Sequence, residues 1–249
     1  MSCLAPQSAG QGMQGKVVGV DADLQIDRRA AVQRTDLGGD SWVDLVSEFV
    51  REPSEVFAGV RETTTWLQGE VLRYDTYVPE KRLGATLRTD HQPVLRQAEM
   101  HLQSAYRVPV TGVGALLYRT GEDFQGLHSD RQMRWLDDTI VAIVVLGERR
   151  PFVIRRRQPL AEVVERVPAG TDPGDLVLMP GEGDLMVMGG ACQRDWLHGV
   201  PRADTNEARI SLTWRWSSRR GRPDTNPGYY DGRQFSDRPQ RPGSRVRRP

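Results

Sequence analysis

Apolar positions along the chain change their period twice. Residues 1–36 mix small and polar side chains with no sustained period, and they are expected to form a flexible, poorly packed lead-in. From Asp40 or Ser41, either of which can cap a helix, Trp42, Leu45, Val46 and Phe49 recur at i, i+3, i+4 and i+7. Pro53 lies just beyond, so this spacing predicts a first helix ending before it. Thr64 to Val78 then reads as short extended pieces containing Trp66, Tyr74 and Tyr77, and Glu80 to Thr89 as a basic, Gly-containing loop. A second helix is predicted from Pro93, a good first-turn residue, through Leu95, Ala98 and Leu102 to Ala105, with Pro109 closing it.

After Pro109 the period shortens. Gly112 to Arg119, Thr139 to Leu146, Phe152 to Arg156, Glu162 to Val167, Leu176 to Met179, Leu185 to Met188 and Arg209 to Trp216 are short apolar or alternating runs separated by Gly, Pro and Asp. Helices followed by many strands, without β-α-β alternation, exclude a doubly wound sheet. They predict a mainly β (α+β) chain: an antiparallel jelly-roll with helices packed on one side. The expected organisation is a lead-in (1–36), an N-terminal helical region (37–110), a β core (111–218) and an arginine- and proline-rich tail (219–249). The tail is too poor in apolar residues to fold alone.

Composition narrows the setting. The 249 residues can bury a sizeable core, and the two cysteines, Cys3 and Cys192, form no Cys-x-x-Cys pair. Neither a disulfide framework nor a zinc knuckle is expected, which fits a reducing interior. Net charge is +1, so only its distribution speaks: the middle is balanced and the end is rich in Arg. The start has no basic stretch followed by an apolar one, and the longest apolar run, Ile140 to Leu146, is too short to span a bilayer. A cytoplasmic monomer with no membrane partner is the expectation.

Candidate chemistry lies in the β half. In an extended Gly126-Leu127-His128-Ser129-Asp130, His128 and Asp130 point to one side and can share a metal ion. Such a pair also occurs by chance in surface turns. A second imidazole would complete the two-His, one-carboxylate face that suits Fe(II) and leaves positions open. His198, after Met188-Gly189-Gly190, is the best third ligand, because His91 and His101 belong to the second helix and its start. Further on, Arg209, Ser211, Thr213 and Arg215 alternate with Ile210, Leu212, Trp214 and Trp216, so both arginines face one side of a strand, their Cα atoms about 20 Å apart at about 3.3 Å per residue. Planar guanidinium forks there could hold a small dicarboxylate; a solvent-facing edge strand would show the same alternation.

The order His128-x-Asp130, His198, Arg209-x5-Arg215 resembles the AlkB-like Fe(II)/2-oxoglutarate dioxygenases. So do Leu127-His128-Ser129-Asp130, Asp137-Asp138-Thr139-Ile140-Val141-Ala142-Ile143, Arg150-Pro151-Phe152 and Met188 to Gln193 with Trp196-x-His198. The resemblance covers roughly Trp66 to Trp216. It implies a double-stranded β-helix with an N-terminal nucleotide-recognition lid within 37–110. It also implies a DNA-repair activity on alkylated DNA or RNA, in which iron activates O2, 2-oxoglutarate is decarboxylated to succinate and the N-alkyl carbon leaves as an aldehyde. By the same resemblance His128, Asp130 and His198 bind Fe(II), Arg209 and Arg215 the 2-oxoglutarate carboxylates, Tyr118 the co-substrate by a hydrogen bond, and Trp66 stacks on a flipped base. Where the family has Asn two places before the tyrosine and two after the first arginine, this chain has Leu116 and Ser211, and its Glu80 to Ala85 loop lacks the family's aromatic. Two alternatives stay open: the same chemistry on a small metabolite or nucleoside, and a non-catalytic nucleic-acid-binding derivative.

Overall fold

In the computed structural model, which describes residues 25–73, 76–130, 133, 136–158 and 172–218, period-two alternation builds most of the fold. Strand β7 (Thr139–Gly147) shows how. Its Ile140, Ala142, Val144 and Leu146 enter one core while Val141, Ile143 and Val145 enter a second, so neither face can be polar. That is why the sequence here is a continuous apolar run.

Strand β7 is central in an eight-stranded antiparallel sheet. In spatial order its members are β1 (Val32–Gly38), β2 (Ser41–Val46), β10 (Leu185–Gly190), β7, β12 (Arg209–Ser217), β5 (Thr111–Tyr118), β4 (Thr76–Leu87) and β3 (Leu67–Arg73). A second antiparallel sheet runs β6 (Gln125–His128), β11 (Trp196–Val200), β8 (Phe152–Arg156) and β9 (Leu176–Leu178). On the outer face of the large sheet, Val56 and Val60 of helix α1 (Pro53–Thr63) and Val94, Leu95, Ala98 and Leu102 of helix α2 (Pro93–Tyr106) pack against Val144, Val187, Leu212 and Trp214. On its inner face Tyr118, Ile143, Met186 and Met188 meet Phe152, Ile154 and Val200 of the small sheet. Two sheets closed over a shared core, with helices on one side, is the jelly-roll expected.

The N-terminal third differs from the expectation. Residues 41–46 form strand β2, held between β1 and β10 and buried on both faces, and not a helix. A strand with few polar positions can mimic a helical period by chance; β-branched Val43 and Val46 and aromatic Trp42 suit the sheet better. Pro53, read as the terminator of a helix, instead stands at the first turn of α1, where its missing N–H costs nothing. The lead-in also contributes: Ile26 is buried and bridges Val50, and β1 begins at Val32. The basic stretch Glu80 to Thr89 is mostly strand, since β4 runs to Leu87 and pairs with β5. Gly189-Gly190 ends β10 and makes no turn of its own; a Cβ on Gly189 would stand 2.0 Å from the Trp42 indole, so glycine there lets β2 close on β10. The expected strand Glu162 to Val167 and the tail 219–249 lie outside the described residues. Strands β1 to β4, from the region assigned to lead-in and helices, belong to the same sheet as the β core.

Candidate metal and co-substrate site

The site forms where the small sheet faces the polar row of β12. His128 ends β6, and in the antiparallel register His198 of β11 stands directly opposite it. Their rings are 4.4 Å apart, centroid to centroid. Asp130 follows two residues later, and one ligand atom from each of His128, Asp130 and His198 lies within 4.8 Å of the others. Local structure orients each. The His128 Nδ1–H donates to the Gly126 carbonyl (2.9 Å), which leaves Nε2 as the free lone pair. Phe152 stacks on the His198 ring, with centroids 5.7 Å apart and an interplanar angle of 18°. The Asp130 backbone N–H donates to the side-chain carbonyl of Gln193 (2.8 Å), which helix α3 (Cys192–Asp195) presents from the end of β10.

Burial and charge set the protonation states that a metal requires. Burial, reinforced by the neighbouring His128, pushes the His198 imidazole down to about 3, and burial also lowers His128, so both are neutral and have a lone pair to give. Burial alone would raise the Asp130 carboxyl, but the charge of Arg215, helped by the two histidines, holds it at about 2. Two imidazoles and a carboxylate within reach of one ion suit Fe(II), and three protein ligands would leave it open coordination positions.

Beside this cluster, Arg209, Ser211 and Thr213 are buried on the inner side of β12, with Arg215 beyond them. Arg209 is fully enclosed; its Nη1 donates to the Arg150 carbonyl (3.3 Å), while Nε and Nη2 have no partner. Burial lowers it to about 10, against the pull of Tyr118, so it remains charged at neutral pH. An enclosed guanidinium with two vacant donors is a site for a carboxylate. Tyr118 stands level with Arg209 on β5, its phenol pushed up by burial and therefore a neutral donor. A dicarboxylate co-substrate fits the residues present.

The two arginines are not equivalent. Arg215 is 41% exposed and bonds Asp130 through Nε (2.8 Å), so it stands beside the ligand cluster. Leu116, in the position where the family carries Asn, packs into the apolar inner core. Trp66 lies elsewhere: its indole N–H donates to the Arg61 carbonyl (3.1 Å) and its ring packs on the helix-side core, across the large sheet from the histidines.

Three site residues were not found from the sequence. Gln193 is one. Arg150 is another: fully buried, it donates to the carbonyls of Thr120 (3.2 Å), Asp123 (2.8 Å) and Pro201 (2.7 Å), tying the loop before β6 to the loop after β11, and its guanidinium lies 5.3 Å from the Tyr118 ring centroid. The third is Arg82, one residue beyond the last pair of β4 with β5 and so level with Tyr118. The strings Met188 to Gln193 and Arg150-Pro151-Phe152 marked the places of the first two without their roles, since no period or spacing reveals which backbone groups a side chain will meet.

Residues 51–215 match the model of the 2OG-Fe(II) oxygenase superfamily. The human alpha-ketoglutarate-dependent dioxygenase alkB homolog 3 is 29% identical over 165 residues, covering 63% of this chain and 54% of that protein. The DNA oxidative demethylase ALKBH2 of Arabidopsis thaliana is 30% identical over 132 residues, covering 46% of this chain and 41% of that one. The chain thus spans about half the length, or less, of the curated relatives it matches. Among solved structures, HygX from Streptomyces hygroscopicus, with nickel and 2-oxoglutarate bound, shares the fold with a TM-score of 0.51 at 13% identity, over 71% of this chain and 83% of that one.

Proposed function

Because the chain belongs to the 2OG-Fe(II) oxygenase superfamily and is AlkB-like within it, we propose that it removes alkyl groups oxidatively from nucleobases of DNA or RNA. The observation that carries this reading is the placement of a two-His, one-Asp cluster beside an enclosed guanidinium with two vacant donors. When bound, Fe(II) with 2-oxoglutarate and O2 would supply the oxidation: one oxygen atom enters succinate as CO2 leaves, the other enters the N-alkyl carbon, and the hydroxylated group departs as an aldehyde, restoring the unalkylated base.

The chain's own residues prepare that step. His128, Asp130 and His198 would hold the metal. Arg209, with Nε and Nη2 unpartnered, would take a carboxylate of the co-substrate, and Tyr118 would add a neutral donor beside it. Phe152, stacked on His198, belongs with Leu116, Met133 and Leu136 to the inner apolar core, which backs the ligand cluster on that side. A base must leave its stack to reach this depth.

The test is succinate release by iron-loaded protein with and without methylated oligonucleotides. Release that rises with the methylated strand, matched by equimolar formaldehyde and absent in Asp130→Ala, supports the proposal. A second reading, the same chemistry on a free nucleoside or small metabolite, is favoured by one observation: Trp66 packs on the helix side and offers a flipped base no platform. Stimulation by free nucleoside but not by oligonucleotide would select it.

A further inference from the structure

Strand β4 brings an ion pair to the wall of the site. Arg82 Nη1 lies 3.2 Å from Glu80 Oε1, the side chains are only 14% and 26% exposed, and the Arg82 Nε is buried without a partner. A Cβ on Gly69 of β3 would stand 2.5 Å from the second carboxylate oxygen of Glu80, so glycine there makes room for that group. Arg82 is level with Tyr118, which is in turn level with Arg209; residues opposed across strands share a face, so this row looks into the inter-sheet space.

The chemistry of the pair selects its ligand. Arg209 already offers vacant donors for a carboxylate, and Glu80 neutralises Arg82, so a further anion gains little here. A vacant N–H beside a carboxylate is instead a donor next to an acceptor. Methylation of a ring nitrogen leaves different flanks on different bases. In N3-methylcytosine and N1-methylguanine the methylated nitrogen lies between a carbonyl and an exocyclic amine, one acceptor and one donor. In N1-methyladenine the amine has no carbonyl opposite, and in N3-methylthymine both flanks are carbonyls.

Resting on the function proposed above, we infer that Arg82 and Glu80 read the edge of the damaged base, Arg82 donating to the carbonyl and Glu80 accepting from the amine, so that methylated cytosine and guanine are preferred to methylated adenine and thymine. Both contacts flank the methyl group. They fix the carbon to be oxidised between them.

The test is binding of four single-stranded oligonucleotides, identical but for one methylated base, to the full chain loaded with Mn(II) and 2-oxoglutarate, followed by fluorescence anisotropy. The cytosine and guanine lesions are expected to bind about tenfold tighter than the other two, the effect of one charged hydrogen bond. In Arg82→Met and Glu80→Leu the four affinities should converge to within about twofold. Co-substrate binding by calorimetry and thermal melting establish that each variant is folded and loaded. A wild-type ranking that survives both substitutions, or a ranking led by adenine or thymine, overturns this inference and leaves the proposed function standing. Wild-type protein that binds no methylated strand better than its unmodified partner overturns both.

Discussion

Arg215 Nε lies 2.8 Å from Asp130 Oδ2, joining the end of β12 to the carboxylate that completes the ligand cluster. A buried carboxyl in a metal site must ionise before the metal arrives, and Arg215 is the largest influence holding it ionised. The arginine would thereby act on a bound metal through its proposed ligand.

That relationship fixes a pH dependence. A carboxyl held at about 2 in the folded chain contributes stability above its unfolded value near ~3.9, and the contribution is lost as pH falls through the folded value. Removing Arg215 leaves burial unopposed and raises the Asp130 carboxyl. Arg215→Met should therefore shift the acid midpoint of Mn(II) binding upward by about one pH unit, a modest figure because the side chain is partly exposed to solvent. Mn(II) titrations from neutral to acid pH measure it, and an unmoved midpoint would exclude Arg215 from control of the site.

Arg209 gives a separate prediction. Its two vacant donors are suited to a bidentate carboxylate, which the point charge of lysine cannot reproduce. Arg209→Lys should raise the 2-oxoglutarate concentration needed for half-maximal binding by one or more orders of magnitude, roughly the ~1.5–3 kcal/mol of a charged hydrogen bond. Calorimetric titration of the Mn(II)-loaded protein reads this directly. The same substitution at Arg215 should change co-substrate binding less, since Arg215 is engaged by Asp130.

Gln193 tests how the ligand backbone is held. Gln193→Leu keeps the buried volume but leaves the Asp130 N–H without its acceptor. Metal affinity should fall by about 10-fold to 100-fold, as for other groups that orient ligands without touching the metal. Gln193→Glu retains an acceptor and should recover most of it. Equal affinities in Gln193→Leu and the wild type would show that the contact does not position Asp130.

The arginine-rich end is tested by truncation. Deleting everything beyond Ser218 should weaken oligonucleotide binding at low salt and flatten its salt dependence, because fewer counterions are released from the phosphates. Handling of a free methylated nucleoside should be unaffected. Equal slopes for full-length and truncated protein would make the tail irrelevant to nucleic acid.

Local pattern was enough wherever the physics was local. His128 and Asp130 are two residues apart, and Arg209 and Arg215 are six residues apart on one alternating strand, so backbone geometry alone decides which side they share. The run Thr139 to Leu146 was legible as a strand for the same reason, while the burial of both its faces follows from the two cores it separates. Tertiary structure decided what depends on distant partners. Whether Trp42 to Val46 coils or extends was settled by β10, which offers glycine where the indole must fit. Which core receives Trp66 was settled by the helices on the outer face, and which arginine meets Asp130 by how far β12 carries each past the small sheet. Arg150 and Gln193 act through carbonyls and an amide brought together by folding, and hydrogen bonds over such separations leave no period in a sequence; Arg82 and Glu80 are local partners on β4, and only the pairing of β4 with β5 sets Arg82 level with Tyr118.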